Sequence, residues 1–204
     1  MMKRLIIHPQ DASTVFLKKV YERLNDVTLI ESGIEHIRNL TGLMETHDQV
    51  IFLGHGMPLG LLAVGQFGFH TFVMSGSRVG PLKEKDNSIF IWCYASDFVR
   101  SHQLKGFATG MFISEEIEAY ANGVECTEAD IEISNDVFAT AVGTALEQEM
   151  GNQELYAYVK QQYEPLVEIN PVARYNWGRV GVFIEWFFLG SRGIVHNFSF
   201  NLSY

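Results

Sequence analysis

The stretch "QVIFLGHGMPLGLL", residues 49–62, decides the reading of this chain. Its first half is an unbroken apolar run, the pattern of a strand buried on both faces rather than one that alternates apolar with polar. The run stops at Gly54-His55-Gly56, where two residues without a Cβ flank one side chain capable of acid–base chemistry. Thirty-eight positions later "SIFIWCYASDF", residues 88–98, repeats the design: a short apolar run that ends on Cys93, followed by a helical pattern.

The flanking segments have the same rhythm. "KRLIIH" (3–8) predicts a strand and "DASTVFLKKVYERLND" (11–26) a helix, with Asp11 or Ser13 as its cap. "VTLIE" (27–31) predicts a second strand and residues 32–47 a second helix. After the third strand, the glycine-rich residues 56–80 read as a β-hairpin or an irregular excursion. "SIFIWC" is then strand four, "SDFVRSHQL" a short helix and "GFATGMFIS" (106–114) strand five. "EEIEAYANG" (115–123) is a helix with an acidic first turn, and residues 134–150 and 153–166 are helical. "NPVARYNWGRVGVF" starts another helix, with Asn170 as cap and Pro171 in first position. Alternating strands and helices with apolar strands predict an α/β fold around a central, mostly parallel sheet covered on both faces.

The 204 residues fit one domain, which the sequence places at 1–185 with a C-terminal helical extension from about residue 127. Residues 186–204 form an aromatic tail whose structure the pattern does not assign. Fifteen basic against 24 acidic residues give a charge of −9, which argues against nucleic-acid or anionic-membrane binding and is compatible with a basic peptide or protein partner. No run of about 18 apolar residues occurs, and the N-terminal apolar stretch is too short for a signal peptide. Two cysteines, Cys93 and Cys126, make no disulfide framework and no zinc spacing. A cytoplasmic protein is the expectation, with no cofactor. No metal site is expected either, because His36, His47, His70, His102 and His196 share no ligand spacing.

In an open parallel sheet, ligands bind beyond the carboxyl ends of the strands, where the strand order reverses. His55 and Cys93 both fall there. A helix starting near Ser96 would favour the Cys93 thiolate, and a neighbouring His55 would take its proton. The Gly56 N–H is left open to a substrate oxygen. Cys126, in the acidic loop "GVECTEAD", has the weaker claim to reactivity.

"IFLGHG" and "IFIWC" resemble the paired strand ends of the cysteine peptidases that include caspases, gingipains, clostripain, legumain and separase. The shared pattern is an apolar strand ending His-Gly, then a later one ending on the nucleophile, and it covers roughly residues 3–123. The resemblance implies a caspase-like three-layer sandwich with added C-terminal helices. It also implies a cysteine endopeptidase or related amide hydrolase, with His55 as general base, Cys93 as nucleophile and the N–H groups of Gly56 and Cys93 as oxyanion hole. Trp92 is bulky for that pattern, and Tyr94-Ala95 matches neither the caspase nor the legumain continuation. The same fold without catalysis, acting as a protein-interaction module, is the alternative. Glu115, Glu116 and Glu118 follow strand five; they read either as a selectivity pocket for Lys or Arg, to which Asp97 contributes, or as acidic residues stabilising their own helix. The chain has no G-x-S-x-G, H-E-x-x-H, G-x-G-x-x-G or Walker A motif that would point elsewhere. "GHG" also lacks the arginine of the Arg-His-Gly phosphatases.

Overall fold

A computed structural model describes residues 2–32, 34–64 and 72–183. The apolar runs become strands β1 (Arg4–Ile7), β2 (Val27–Ile30) and β3 (Gln49–Leu53), followed by the later strands β7 (Ile89–Ile91), β8 (Gly106–Thr109) and β9 (Val180–Phe183). They form one six-stranded sheet in the order β2-β1-β3-β7-β8-β9. Every neighbouring pair is parallel except β8–β9, which is antiparallel. β1, β3, β7 and β8 are buried along their whole length, the expected state of central strands dry on both faces.

Strand parity divides the core in two. Leu5, Ile7, Val50, Phe52, Phe90 and Trp92 face one layer, made by α1 (Ile34–Arg38), α2 (Leu40–Thr46), α3 (Ala95–Ser101) and a small antiparallel sheet. Ile6, Ile51, Leu53, Ile89, Ile91 and Phe107 face the other. There they meet a 3-10 helix (Val15–Val20) and the long helices α5 (Glu128–Glu147), α6 (Asn152–Val167) and α7 (Pro171–Trp177). The result is a three-layer α/β sandwich with a central, mostly parallel sheet and C-terminal helices, consistent with the caspase-like architecture that the resemblance implies. The helical extension is one of the layers: Phe138, Val142 and Tyr163 are fully or almost fully buried against the sheet.

Four local readings change. The segment after β1 forms a 3-10 helix instead of an α-helix; the hydroxyls of Ser13 and Thr14 are taken by Asp11 and give the helix no cap. The helix expected over 32–47 is broken at Asn39 into α1 and α2. The glycine-rich excursion is a three-stranded antiparallel sheet of β4 (Gly56–Met57), β5 (Gly60–Leu62) and β6 (Phe72–Ser75). The "RVGVF" end of the last expected helix is instead strand β9 after Gly178, completing the sheet beside β8. The aromatic tail, from residue 184 on, lies outside the described residues.

Candidate active site

The chain enters the sheet at β1, steps outward to β2, and returns past β1 to β3, so the strand order reverses between β1 and β3. Four consecutive strand ends converge at this edge: β1, β3, β7 and β8. β3 and β7 are parallel with Leu53 opposite Ile91, and the Gly54 N–H donates to the Ile91 carbonyl at 3.0 Å. His55 and Cys93 each lie two residues beyond these paired strand ends. Both line a half-open recess of about 20 Å³, room for a single water, together with Thr14, Leu17, Phe112 and Ser114. Asp97, Glu115 and Glu116 are not among the residues lining it.

Gly54 has φ +138°, a conformation open to glycine, as the chain turns out of β3. His55 is then held from the end of β1. Its Nε2 lies 2.7 Å from Ser13 Oγ and 3.2 Å from Asp11 Oδ2. Asp11 is itself fixed: its Oδ1 accepts from the Ser13 hydroxyl and backbone N–H, and from the Thr14 hydroxyl and backbone N–H. Burial works to raise the Asp11 pKa, but the Ser13 hydrogen bonds, the nearby His55 ring and the Thr14 hydrogen bonds outweigh it, and the carboxyl is held below its ordinary value. A carboxylate accepts and does not donate, so Nε2 carries a ring proton, and in the neutral ring the lone pair is then on Nδ1. Asp11 and Ser13 are the functional candidates that sequence reasoning missed, having read them only as helix caps. The available signal was their place just beyond the end of β1, at the reversal of strand order.

Cys93 sits on a sharp turn from β7 into α3. Tyr94, the next residue, has φ +66°, held by its N–H to the Gly110 carbonyl and by Ala95 N–H to the Trp92 carbonyl. The helix start is where the sequence placed it, yet the thiol is not activated. Its pKa is pushed up to about 12, by burial first and then by the charge of Glu118. The sulfur donates to the Phe112 carbonyl at 3.4 Å and approaches Glu118 Oε1 at 3.5 Å. Cys126 is free as well, and its pKa is raised by slight burial and by the charges of Asp130 and Glu116.

The two oxyanion candidates keep their donors available. Leu62 N–H donates to the His55 carbonyl at 2.9 Å, and Gly56 pairs with Leu61. In that register the Gly56 N–H points away from β5. The Cys93 N–H meets no acceptor among the described residues. Trp92 is also among the residues at the recess, but its ring packs elsewhere. Its indole turns to the opposite face, against Phe52, Phe90 and Phe98, and its Nε1 donates to the Met57 carbonyl at 3.2 Å.

The acidic residues scatter. Asp97 is a half-buried residue in the first turn of α3, paired with Arg100 at 3.1 Å. Glu115 caps α4 (Glu116–Ala121) without a side-chain bond, and Glu116 is exposed in its first turn. Glu118 turns back to Cys93 and Ser114. Among the described residues no group of three His, Cys, Asp or Glu side chains could hold a metal, and no helix is long and apolar enough to cross a membrane.

The fold and the strand-end pair define a class by geometry: an α/β sandwich that presents one histidine and one cysteine at adjacent parallel strand ends. No protein-family model matches the chain, and no curated protein sequence matches it.

Proposed function

We propose that the protein is a cysteine-type hydrolase acting on a peptide or related amide bond through His55 and Cys93. One observation carries the reading: at the shared recess, His55 is oriented by a carboxylate and a hydroxyl at Nε2, which leaves Nδ1 to act as base. A buried histidine needed only for packing has no use for an aligned carboxylate that is itself held by neighbouring donors.

In the proposed reaction the Cys93 Sγ proton passes to His55 Nδ1, and the thiolate forms a C–S bond to the substrate carbonyl carbon. The carbonyl π pair moves to oxygen, facing the N–H groups of Gly56 and Cys93. The oxyanion collapses, the C–N bond breaks, and His55 returns its proton to the leaving amine. A water molecule, deprotonated by His55, then attacks the thioester, releasing the acid and the Cys93 thiol. A basic peptide fits the net charge of −9. A reducing compartment such as the cytoplasm fits two free thiols.

Turnover of a diverse fluorogenic peptide library tests the reading. Cys93→Ala and His55→Ala should each abolish it with the fold intact, and Cys126→Ala should leave it unchanged. The second reading, a protein-interaction module of the same fold, rests on the small recess and the suppressed thiol. It takes over if neither the intact protein nor Glu118→Gln, which removes the charge beside the sulfur, cleaves anything in the library and Cys93→Ala retains partner binding.

A further inference from the structure

The proposed chemistry leaves one contact unexplained. Glu118, on the short helix after β8, has no part in a His–Cys mechanism, yet its Oε1 sits 3.5 Å from the Cys93 sulfur. Its other oxygen is anchored: Oε2 accepts from the Ser114 N–H at 2.7 Å and from the Ser114 hydroxyl at 3.0 Å. The segment carrying these groups is clamped from the C-terminal helices. Asn176 of α7 accepts from the Ile113 N–H at 2.8 Å and donates to the Ile113 carbonyl at 2.9 Å. Asn135 of α5 donates to the Ser114 carbonyl at 2.9 Å. The Phe112 carbonyl, the sulfur's other acceptor, belongs to the same clamped segment.

Two acceptors therefore stand ready for the thiol proton on the side of β8, and a carboxylate beside sulfur disfavours a second negative charge there. Glu115 adds a weaker charge of the same sign, and His55 lies across the recess on the side of β3. We propose that Glu118 is a latch on Cys93, holding the sulfur as a thiol turned toward β8 until the Glu118 side chain swings away. The proposal rests on the reading of Cys93 as a nucleophile. Release is a change of rotamer at Glu118, which surrenders the two Ser114 bonds and removes the charge beside the sulfur. Burial is the larger cause of the suppression; the charge of the aimed carboxylate is the part that a movement of Glu118 removes.

The test is the rate of Cys93 alkylation by iodoacetamide at neutral pH, read by peptide mass spectrometry with Cys126 as internal reference. Glu118→Gln preserves shape and removes the charge, so Cys93 should label at least tenfold faster while Cys126 is unchanged. Ser114→Ala removes one of the two anchors and should accelerate Cys93 labelling about threefold. A Cys93 rate in Glu118→Gln within twofold of the unaltered protein overturns the latch. If Glu118→Gln unfolds, shown by both cysteines labelling at the rate of the denatured chain, Ser114→Ala decides: acceleration supports the latch and an unchanged rate overturns it. Failure of the hydrolase reading is a separate result, because it appears as absence of peptide turnover in both the unaltered protein and Glu118→Gln whatever the labelling rates.

Discussion

A Cβ added to Gly56 would lie 2.0 Å from Cδ1 of Trp92, inside the indole, and 2.8 Å from the Gly60 carbonyl oxygen. The glycine after His55 and the tryptophan before Cys93 therefore fit each other, and the bulk of Trp92 is accommodated by the absence of a side chain across from it. Gly56→Ala must displace a fully packed ring that touches Phe52, Phe90 and Phe98. Overpacking of this kind costs about 1–3 kcal/mol. Thermal or denaturant unfolding should show the loss, and Trp92→Phe in the same chain should recover part of it, since the two positions are in contact and their effects are not additive. Additive effects would mean that the ring yields freely.

Neutral His55 should be the Nε2–H tautomer, because Asp11 Oδ2 and Ser13 Oγ both face Nε2. Nitrogen-15 chemical shifts of the imidazole report this directly. In Asp11→Asn and Ser13→Ala the preference should weaken, and peptide turnover should fall about tenfold or more through kcat with little change in KM, the signature of a base that is present but less well held. A dominant Nδ1–H form in the unaltered protein would falsify the assignment of Nδ1 as the base.

The parts of the site differ in how far the sequence shows them. His55 and Cys93 are legible because a continuous apolar strand must stop somewhere, and its first polar residue falls at the edge where parallel sheets place their sites. Gly56 is legible as a turn residue, but its partner Trp92 is not, since nothing in a linear pattern says which face a ring takes. Asp11 and Ser13 are read as helix caps because local spacing fits that role equally well; only the β1–β3 neighbourhood turns them toward His55. Glu118 is read together with Glu115 and Glu116 because all three share one helix start, and helical rotation alone separates the one that reaches Cys93. Strand β9 is missed for a similar reason: "VGVF" follows a well-capped helix, and its strand identity comes from the open edge of β8. Trp92 is accommodated by packing against Phe98 and by the absent side chain of Gly56, whereas nothing in the structure explains a tyrosine at the left-handed position 94.

Stability should fall as acid is added, and His8 supplies an identifiable share. His8 is fully buried at the end of β1, with Nδ1 3.0 Å from the Tyr21 hydroxyl, and its pKa is lowered to about 4 by burial and then by Lys18. The unfolded chain takes up the proton near 6.5 and the folded one near 4, so the stabilisation is complete above pH 6.5 and is lost progressively down to about pH 4. The loss from this group is about 3 kcal/mol. Asp11, held below its ordinary value, contributes in the same direction at lower pH. Urea unfolding between pH 4 and 8 should show the slope, and His8→Asn should be less stable at pH 7 but flatter across this window. Equal slopes in the two proteins would remove His8 from the account.

The last prediction concerns the distance over which the C-terminal helices act on the site. Asn176 is fully buried, and its amide satisfies both the N–H and the carbonyl of Ile113, with a further bond from Nδ2 to Ser134 Oγ at 3.2 Å. Ser134 in turn meets the Tyr163 hydroxyl at 3.0 Å, so α5, α6 and α7 share one buried network beneath the segment that faces Cys93. Asn176→Ala strands two backbone groups, and each unsatisfied buried group costs about 1–3 kcal/mol, for a total of about 2–6 kcal/mol. Water enters or the segment lifts. Either way the Ile113 amide should exchange hydrogen faster than the global loss of stability accounts for, and Phe112 and Glu118 should lose their fixed places beside the sulfur. Cys93 should then alkylate faster in Asn176→Ala than in a variant equally destabilised elsewhere, such as Leu155→Ala in the core of α6. Matched exchange at Ile113 and matched alkylation in the two variants would mean that the network supports the fold alone and does not reach the cysteine.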